Sequence, residues 1–144
     1  MLENRIKKIL VPLDFSANSI RGLEEAIRMA RQSHATITGI FVVSAPPVLA
    51  YQRLNFFKEK ILKNAKSNME KAKVRSAKNG ILFYYTILMG DPGDIIVRLA
   101  NSKKNVFNLI VMGHRGISSA KEFFLGSVSN YVLHKSKIPV LIVK

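Results

Sequence analysis

The chain has 144 residues, 48% hydrophobic and 22% charged, with a formal net charge of +14. That length suits one domain able to bury about two thirds of its unfolded surface without covalent staples. Lacking cysteine, the chain has no disulfides, thiolate metal sites or cysteine nucleophiles, and no apolar run approaches the roughly 18 residues of a membrane span.

The N-terminal stretch is polar and then briefly apolar, too short for a signal-peptide core, so the expected location is cytoplasmic. The positive charge favours acidic partners: nucleic acid, nucleotides, phosphate or an anionic membrane surface. It concentrates between Arg53 and Lys78, where lysines dominate. The plain explanation is a solvated helix face.

"KKILVPLD" (7–14) is a short run of leucine and β-branched residues and reads as a buried strand. Residues 16–34 read as a helix, with Ser16 as N-cap and Ile20, Leu23, Ile27 and Ala30 at helical spacing. "ATITGIFVVS" (35–44) is a second strand, closed by Pro46 and Pro47, with a loop over 45–54. A long helix over about 55–79 carries Phe57, Ile61, Ala65, Met69 and Ala72 on one stripe and stops at Asn79-Gly80. "ILFYYTILMG" (81–90) is a third strand, with Gly90 as its stop. Asp91 and Pro92 open a helix over 91–103 as N-cap and first helical residue. "FNLIVMG" (107–113) is a fourth strand. A glycine-bearing loop then leads to a helix over about 127–135, and "IPVLIVK" (138–144) is the last strand.

Alternating strands and helices with apolar rather than alternating strands predict an α/β fold. The expected form is a doubly wound, five-stranded parallel sheet of order 3-2-1-4-5, with helices on both faces. Ligands of such sheets bind beyond the carboxyl ends of the strands, where the winding reverses. Here that point lies between the first and fourth strands, which brings Asp14 and Gly113 to one crevice.

The loop at that crevice has the spacing Gly113-x2-Gly116-x9-Gly126-Ser127. Glycines beside a strand end can adopt positive φ and expose N–H groups, and successive N–H groups form anion-binding nests. Gly126-Ser127 opens a helix whose first amides are unpaired and whose dipole is positive there. Phosphate suits such a place, with Ser127 and Ser129 as further donors and Arg115 and Lys121 as positive charges.

From "KKILVPLDFS" through "NLIVMGHRG" to "LGSVSNYVLHKSKIPVLIVK", nearly the whole chain resembles a single-domain universal stress protein of the nucleotide-binding subclass. Nucleotide-binding members share G-x2-G-x9-G-[S/T], and every position of it is present. The resemblance implies the fold of the adenine nucleotide alpha hydrolases, with ATP or AMP as ligand and Mg2+ or Mn2+ arriving only with the phosphates. It implies that Asp14 stands near ribose and phosphates, that Pro12 lines the same edge, and that the Val42 backbone meets the adenine. It further implies that Met112 packs on the base and that Gly113, Gly116, Gly126, Ser127 and Val128 wrap ribose and phosphates. Ser129 is a further phosphate donor in this reading. Asp14 has a plainer alternative, an Asx-turn before the helix. Many relatives have a small hydroxyl residue and then a basic one between the first two glycines. This chain has His114-Arg115; the imidazole either strengthens triphosphate binding or points to solvent, and solvent is the expectation.

No catalytic set is visible. The G-x4-G-K-[S/T] loop is missing, and "DFSAN" after the first strand does not match the serine–glycine loop of adenylating pyrophosphatases of similar topology. His34 and His134 sit near helix ends without partners at metal-ligand spacing. The expected function is a nucleotide-dependent switch in stress response, not an enzyme. Its rivals are a nucleic-acid binder using the basic 53–78 helix and a slow ATPase. The last strand has one neighbour, so its open edge predicts a homodimer paired through residues 138–144. An unknown protein partner is expected as well, and a membrane is not.

Overall fold

The structure, a computed structural model, describes residues 5–44, 54–116 and 125–144. Its elements in chain order are β1 (Lys8–Pro12), α1 (Ala17–Ser33), β2 (Thr36–Ser44), α2 (Leu54–Lys78), β3 (Phe83–Gly90), α3 (Pro92–Asn101), β4 (Leu109–Gly113), α4 (Ser127–Lys135) and β5 (Val140–Val143). The strands form one parallel sheet in the order β3-β2-β1-β4-β5, as the alternation predicts.

Strand period two sends neighbouring side chains to opposite faces, which explains why β1 and β4 read as unbroken apolar runs. Ile9 and Val11 of β1 join Leu109 and Val111 of β4 on one face, packed with Leu23, Ala26, Ile27 and Ala30 of α1 and with Met69 and Ala72 of α2. Leu10, Ile110 and Met112 point the other way, onto Ile96 and Ala100 of α3 and Val132 of α4. Two helices therefore cover each face.

The helix ends follow local chemistry. Ser16 caps α1 by accepting the Ser19 N–H at 3.2 Å. Asp91 caps α3 by accepting the Asp94 N–H at 2.9 Å, with Pro92 next. α2 ends where Gly80 takes φ 72°. His34 is the left-handed C-cap of α1, at φ 56°.

The stripe expected on α2 is buried only in part. Ala65, Met69 and Ala72 are buried, but Phe57 is 61% and Ile61 40% exposed. A helix of 25 residues is about 37 Å long, whereas the 8 residues of β3 reach about 26 Å. α2 runs against the strands, so its first turns overhang their carboxyl ends.

Register makes the crevice. β1 follows β2 over five pairs, from Lys8↔Thr36 to Pro12↔Ile40. It pairs with β4 only at Ile9↔Leu109 and Leu10↔Ile110. Beyond those two positions β1 and β4 part, which is the point where the winding reverses. Of the loop expected over 45–54, residues 45–53 lie outside the described residues, as does Lys121, and Leu54 already begins α2. Among the described residues, no helix is long and apolar enough to cross a membrane.

Candidate functional site

At the parting of β1 and β4 lies a cleft of about 1090 Å3. Eleven of the twelve residues singled out by sequence line it, the twelfth, Lys121, lying outside the described residues. Pro12 and Asp14 come from the end of β1, and Val42 from β2. Met112 and Gly113 close β4, and Arg115 and Gly116 follow in the loop. Gly126, Ser127, Val128 and Ser129 open α4. They meet because parallel strands end on one edge and the helices that follow start there.

Three helix starts border the cleft, through Ser19 of α1, Pro92 of α3 and Ser127 of α4. The first two are closed by their own caps, Ser16 and Asp91. α4 begins at Gly126, which has no side chain to cap it. Its first intrahelical bond is Asn130 N–H to the Gly126 carbonyl, at 2.9 Å. The amides of Ser127, Val128 and Ser129 therefore have no partner within the helix, and the positive end of its dipole faces the cleft.

Asp14 supplies negative charge opposite. Its Oδ1 accepts the Ser16 N–H at 2.9 Å, so the Asx-turn is real. The same side chain lines the cleft, so the two readings of Asp14 do not compete.

The glycines work differently from expectation. Among described glycines only Gly80 and Gly90 have positive φ. Gly113, Gly116 and Gly126 are needed for close approach instead. A methyl group on Gly113 would lie 2.6 Å from the Asn18 carbonyl carbon and oxygen. One on Gly22 would meet the Gly113 nitrogen at 3.1 Å. Gly113 thus serves the seam between α1 and β4. On Gly116 a methyl would stand 2.5 Å from Asp14 Oδ2, and on Gly126 one would stand 3.2 Å from Arg115 Cα. Among the described loop residues two amides are already engaged. His114 N–H donates to the Val143 carbonyl at 2.9 Å, and Gly126 N–H to the His114 carbonyl at 2.8 Å.

Two further expectations change. The Ser129 hydroxyl, expected as a phosphate donor, is buried and donates to the His114 carbonyl at 2.6 Å. What Ser129 offers the cleft is its main-chain N–H. His114, expected to point to solvent, is only partly exposed. Its ring is half-buried, with Nδ1 3.3 Å from the Val143 carbonyl and Nε2 accepting from Arg115 Nε at 3.0 Å.

Sequence reasoning missed Asp91, Ser19 and Ile61 as lining residues. Asp91 was visible as a cap. Its place at the end of a strand on the same edge was the signal for a second role. Ile61 reaches the cleft through the overhang of α2, which no local pattern announces. Phe15, at φ 64°, stacks on Phe41 with ring centroids 5.4 Å apart, bracing the turn after β1. No group of three or more His, Cys, Asp or Glu among the described residues could hold a metal ion.

Comparison with known proteins agrees with this geometry. The model of the universal stress protein family matches residues 5–144. The chain belongs to the universal stress protein family. It is 32% identical to universal stress protein MJ0531 of Methanocaldococcus jannaschii over 145 residues, 99% of this chain and 84% of that one. The fold superposes on universal stress protein UspA of Lactobacillus plantarum with a TM-score of 0.88, at 24% identity, over 97% of this chain and 99% of that one. Two other family structures contain adenine nucleotides. One is a universal stress protein in complex with cAMP, at 25% identity and a TM-score of 0.72, covering 96% of this chain and 97% of that one. The other, from Archaeoglobus fulgidus, is in complex with dAMP, at 26% identity and a TM-score of 0.69, covering 97% of this chain and 99% of that one.

Proposed function

We propose that this universal stress protein binds an adenine nucleotide, ATP or AMP, in the cleft between β1 and β4 and acts as a nucleotide-dependent switch in stress response. The observation that carries the reading is the uncapped start of α4 facing Asp14. Open amides and a positive dipole suit phosphate, and a carboxylate suits ribose hydroxyls. The cAMP and dAMP complexes of two family members support the same ligand class. Pro12, Val42 and Met112 give the base an apolar slot. Mg2+ or Mn2+ enters only with the phosphates.

A switch needs differential affinity for two states of the protein, and the loop after β4 is the segment on which a phosphate would act. The reading is of a binding protein, not an enzyme: among the described cleft residues no side-chain pair forms a nucleophile and base. Phosphate release above a buffer control would favour the slow ATPase instead. Pairing of two copies through β5, in the cytoplasm, completes the proposal. The deciding experiment denatures purified protein and separates the supernatant by anion exchange. An adenine nucleotide is expected near one per chain. Calorimetry without heat from AMP, ADP or ATP, metal supplied, would sink it.

One observation favours a second reading. Lys60, Lys63, Ser67, Lys71, Val74 and Lys78 form an exposed row along the outer side of α2. Such a row matches a polyanion backbone, and its binding would fall steeply with salt. Gel shifts at two salt concentrations test it, and salt-insensitive or absent binding removes it.

A further inference from the structure

His114 stands behind the cleft wall, and each of its polar atoms is engaged. Its N–H and its Nδ1 both meet the Val143 carbonyl of β5, at 2.9 and 3.3 Å. Its own carbonyl accepts the Gly126 N–H and the Ser129 hydroxyl. Its Nε2 lies 3.0 Å from Arg115 Nε. A carbonyl oxygen can only accept, so Nδ1 carries the hydrogen. An arginine Nε–H can only donate, so Nε2 carries the lone pair. The two contacts together fit the Nδ1–H tautomer.

Arg115 lines the cleft and His114 does not. Among the described residues the ring meets the cleft through Arg115. β5 fixes the ring, and the ring fixes one edge of the guanidinium. A long cationic side chain that is already held loses less freedom when it meets an anion. The carbonyl of the same residue ties down Gly126 and Ser129, so the charge and the open amides of α4 are held in one frame.

We propose that His114 is a positioning residue, holding Arg115 at the cleft wall to receive the phosphate of the bound nucleotide. This rests on the nucleotide reading above. A merely structural histidine would brace β5 against the loop and affect all ligands alike. A positioning histidine affects only those that carry phosphate.

The test is calorimetry with adenosine, AMP and ATP on wild type, His114→Leu, His114→Gln, Arg115→Ala and the Leu/Ala double variant. His114→Leu and Arg115→Ala are each expected to weaken AMP and ATP by about 10-fold, the scale of one charge-assisted hydrogen bond. Adenosine should be unaffected. The double variant should be no weaker than Arg115→Ala alone. His114→Gln, whose amide oxygen can replace Nε2, should recover most of the loss. Unchanged nucleotide affinity in His114→Leu, equal losses for adenosine, or independent losses in the double variant would each overturn the proposal. So would a wild type that binds adenosine as tightly as ATP. A wild type that binds none of the three would overturn the nucleotide reading along with it. Nitrogen-15 NMR of ligand-free wild type provides a check that needs no variant to fold. The shifts of the His114 ring should report the Nδ1–H tautomer, and the Nε2–H tautomer would refute the geometry.

Discussion

Gly116 lies against the carboxylate of Asp14 so closely that a methyl group on it would sit 2.5 Å from Oδ2. Gly116 of the loop and the Asp14 carboxylate therefore meet across the cleft. Gly116→Ala must push either the loop or the acid away. The expected result is at least about a 10-fold loss of adenine nucleotide affinity by calorimetry, since a ribose acceptor or loop donors are displaced. Affinity at the wild-type level would show that the cleft is used differently.

Gly113→Ala should behave in another way. Its methyl would meet the Asn18 main chain at 2.6 Å, inside the packing of α1 on β4. Overpacking of that kind costs about 1–3 kcal/mol. Urea denaturation should record the loss with or without nucleotide. A variant as stable as wild type would mean that α1 shifts freely.

Ser129→Ala separates a donor to the loop from a donor to phosphate. The hydroxyl is buried and aimed at the His114 carbonyl. Its removal should lower stability by about 1 kcal/mol and leave nucleotide affinity within about 3-fold, because the main-chain N–H remains. A much larger fall in affinity, with stability unchanged, would return the hydroxyl to the ligand.

Dimerisation through β5 has a direct probe. Ile110 N–H donates to the Pro139 carbonyl and His114 N–H to that of Val143. Odd-numbered residues of β5 thus turn their main chain toward β4, and Val140 and Ile142 turn theirs outward. Ile142→Pro deletes an outward N–H and spares the ladder to β4. Sedimentation should find a folded monomer where wild type is a dimer. A folded variant that still dimerises would exclude this edge. Leu141 is unsuited to such a test, since it packs on the α1 side of the core.

Most of the architecture was legible because its punctuation is local. Ser16, Asp91-Pro92 and Asn79-Gly80 mark helix ends through their own chemistry, and the apolar runs of β1 and β4 announce strands buried on both faces. Topology then carried Asp14 to Gly113. What stayed hidden depends on distant partners. The stripe on α2 continues past the end of the sheet, so Phe57 and Ile61 look like core and are not. His114 looked solvent-facing because its partner is a main-chain atom 29 residues away. The glycine spacing reads as positive φ and exposed N–H groups, whereas the described glycines of the signature serve close approach, and what each one approaches is a property of the fold.

The seam of Gly22, Asn18 and Gly113 changes how the glycine signature can sort relatives of this chain. The first glycine is demanded by helix-to-strand fit, and a descendant that had lost its ligand would keep it regardless. The second faces a charged group across the opening and, among the described residues, has no such tie. As a diagnostic of retained ligand binding, position 116 therefore carries information that position 113 does not.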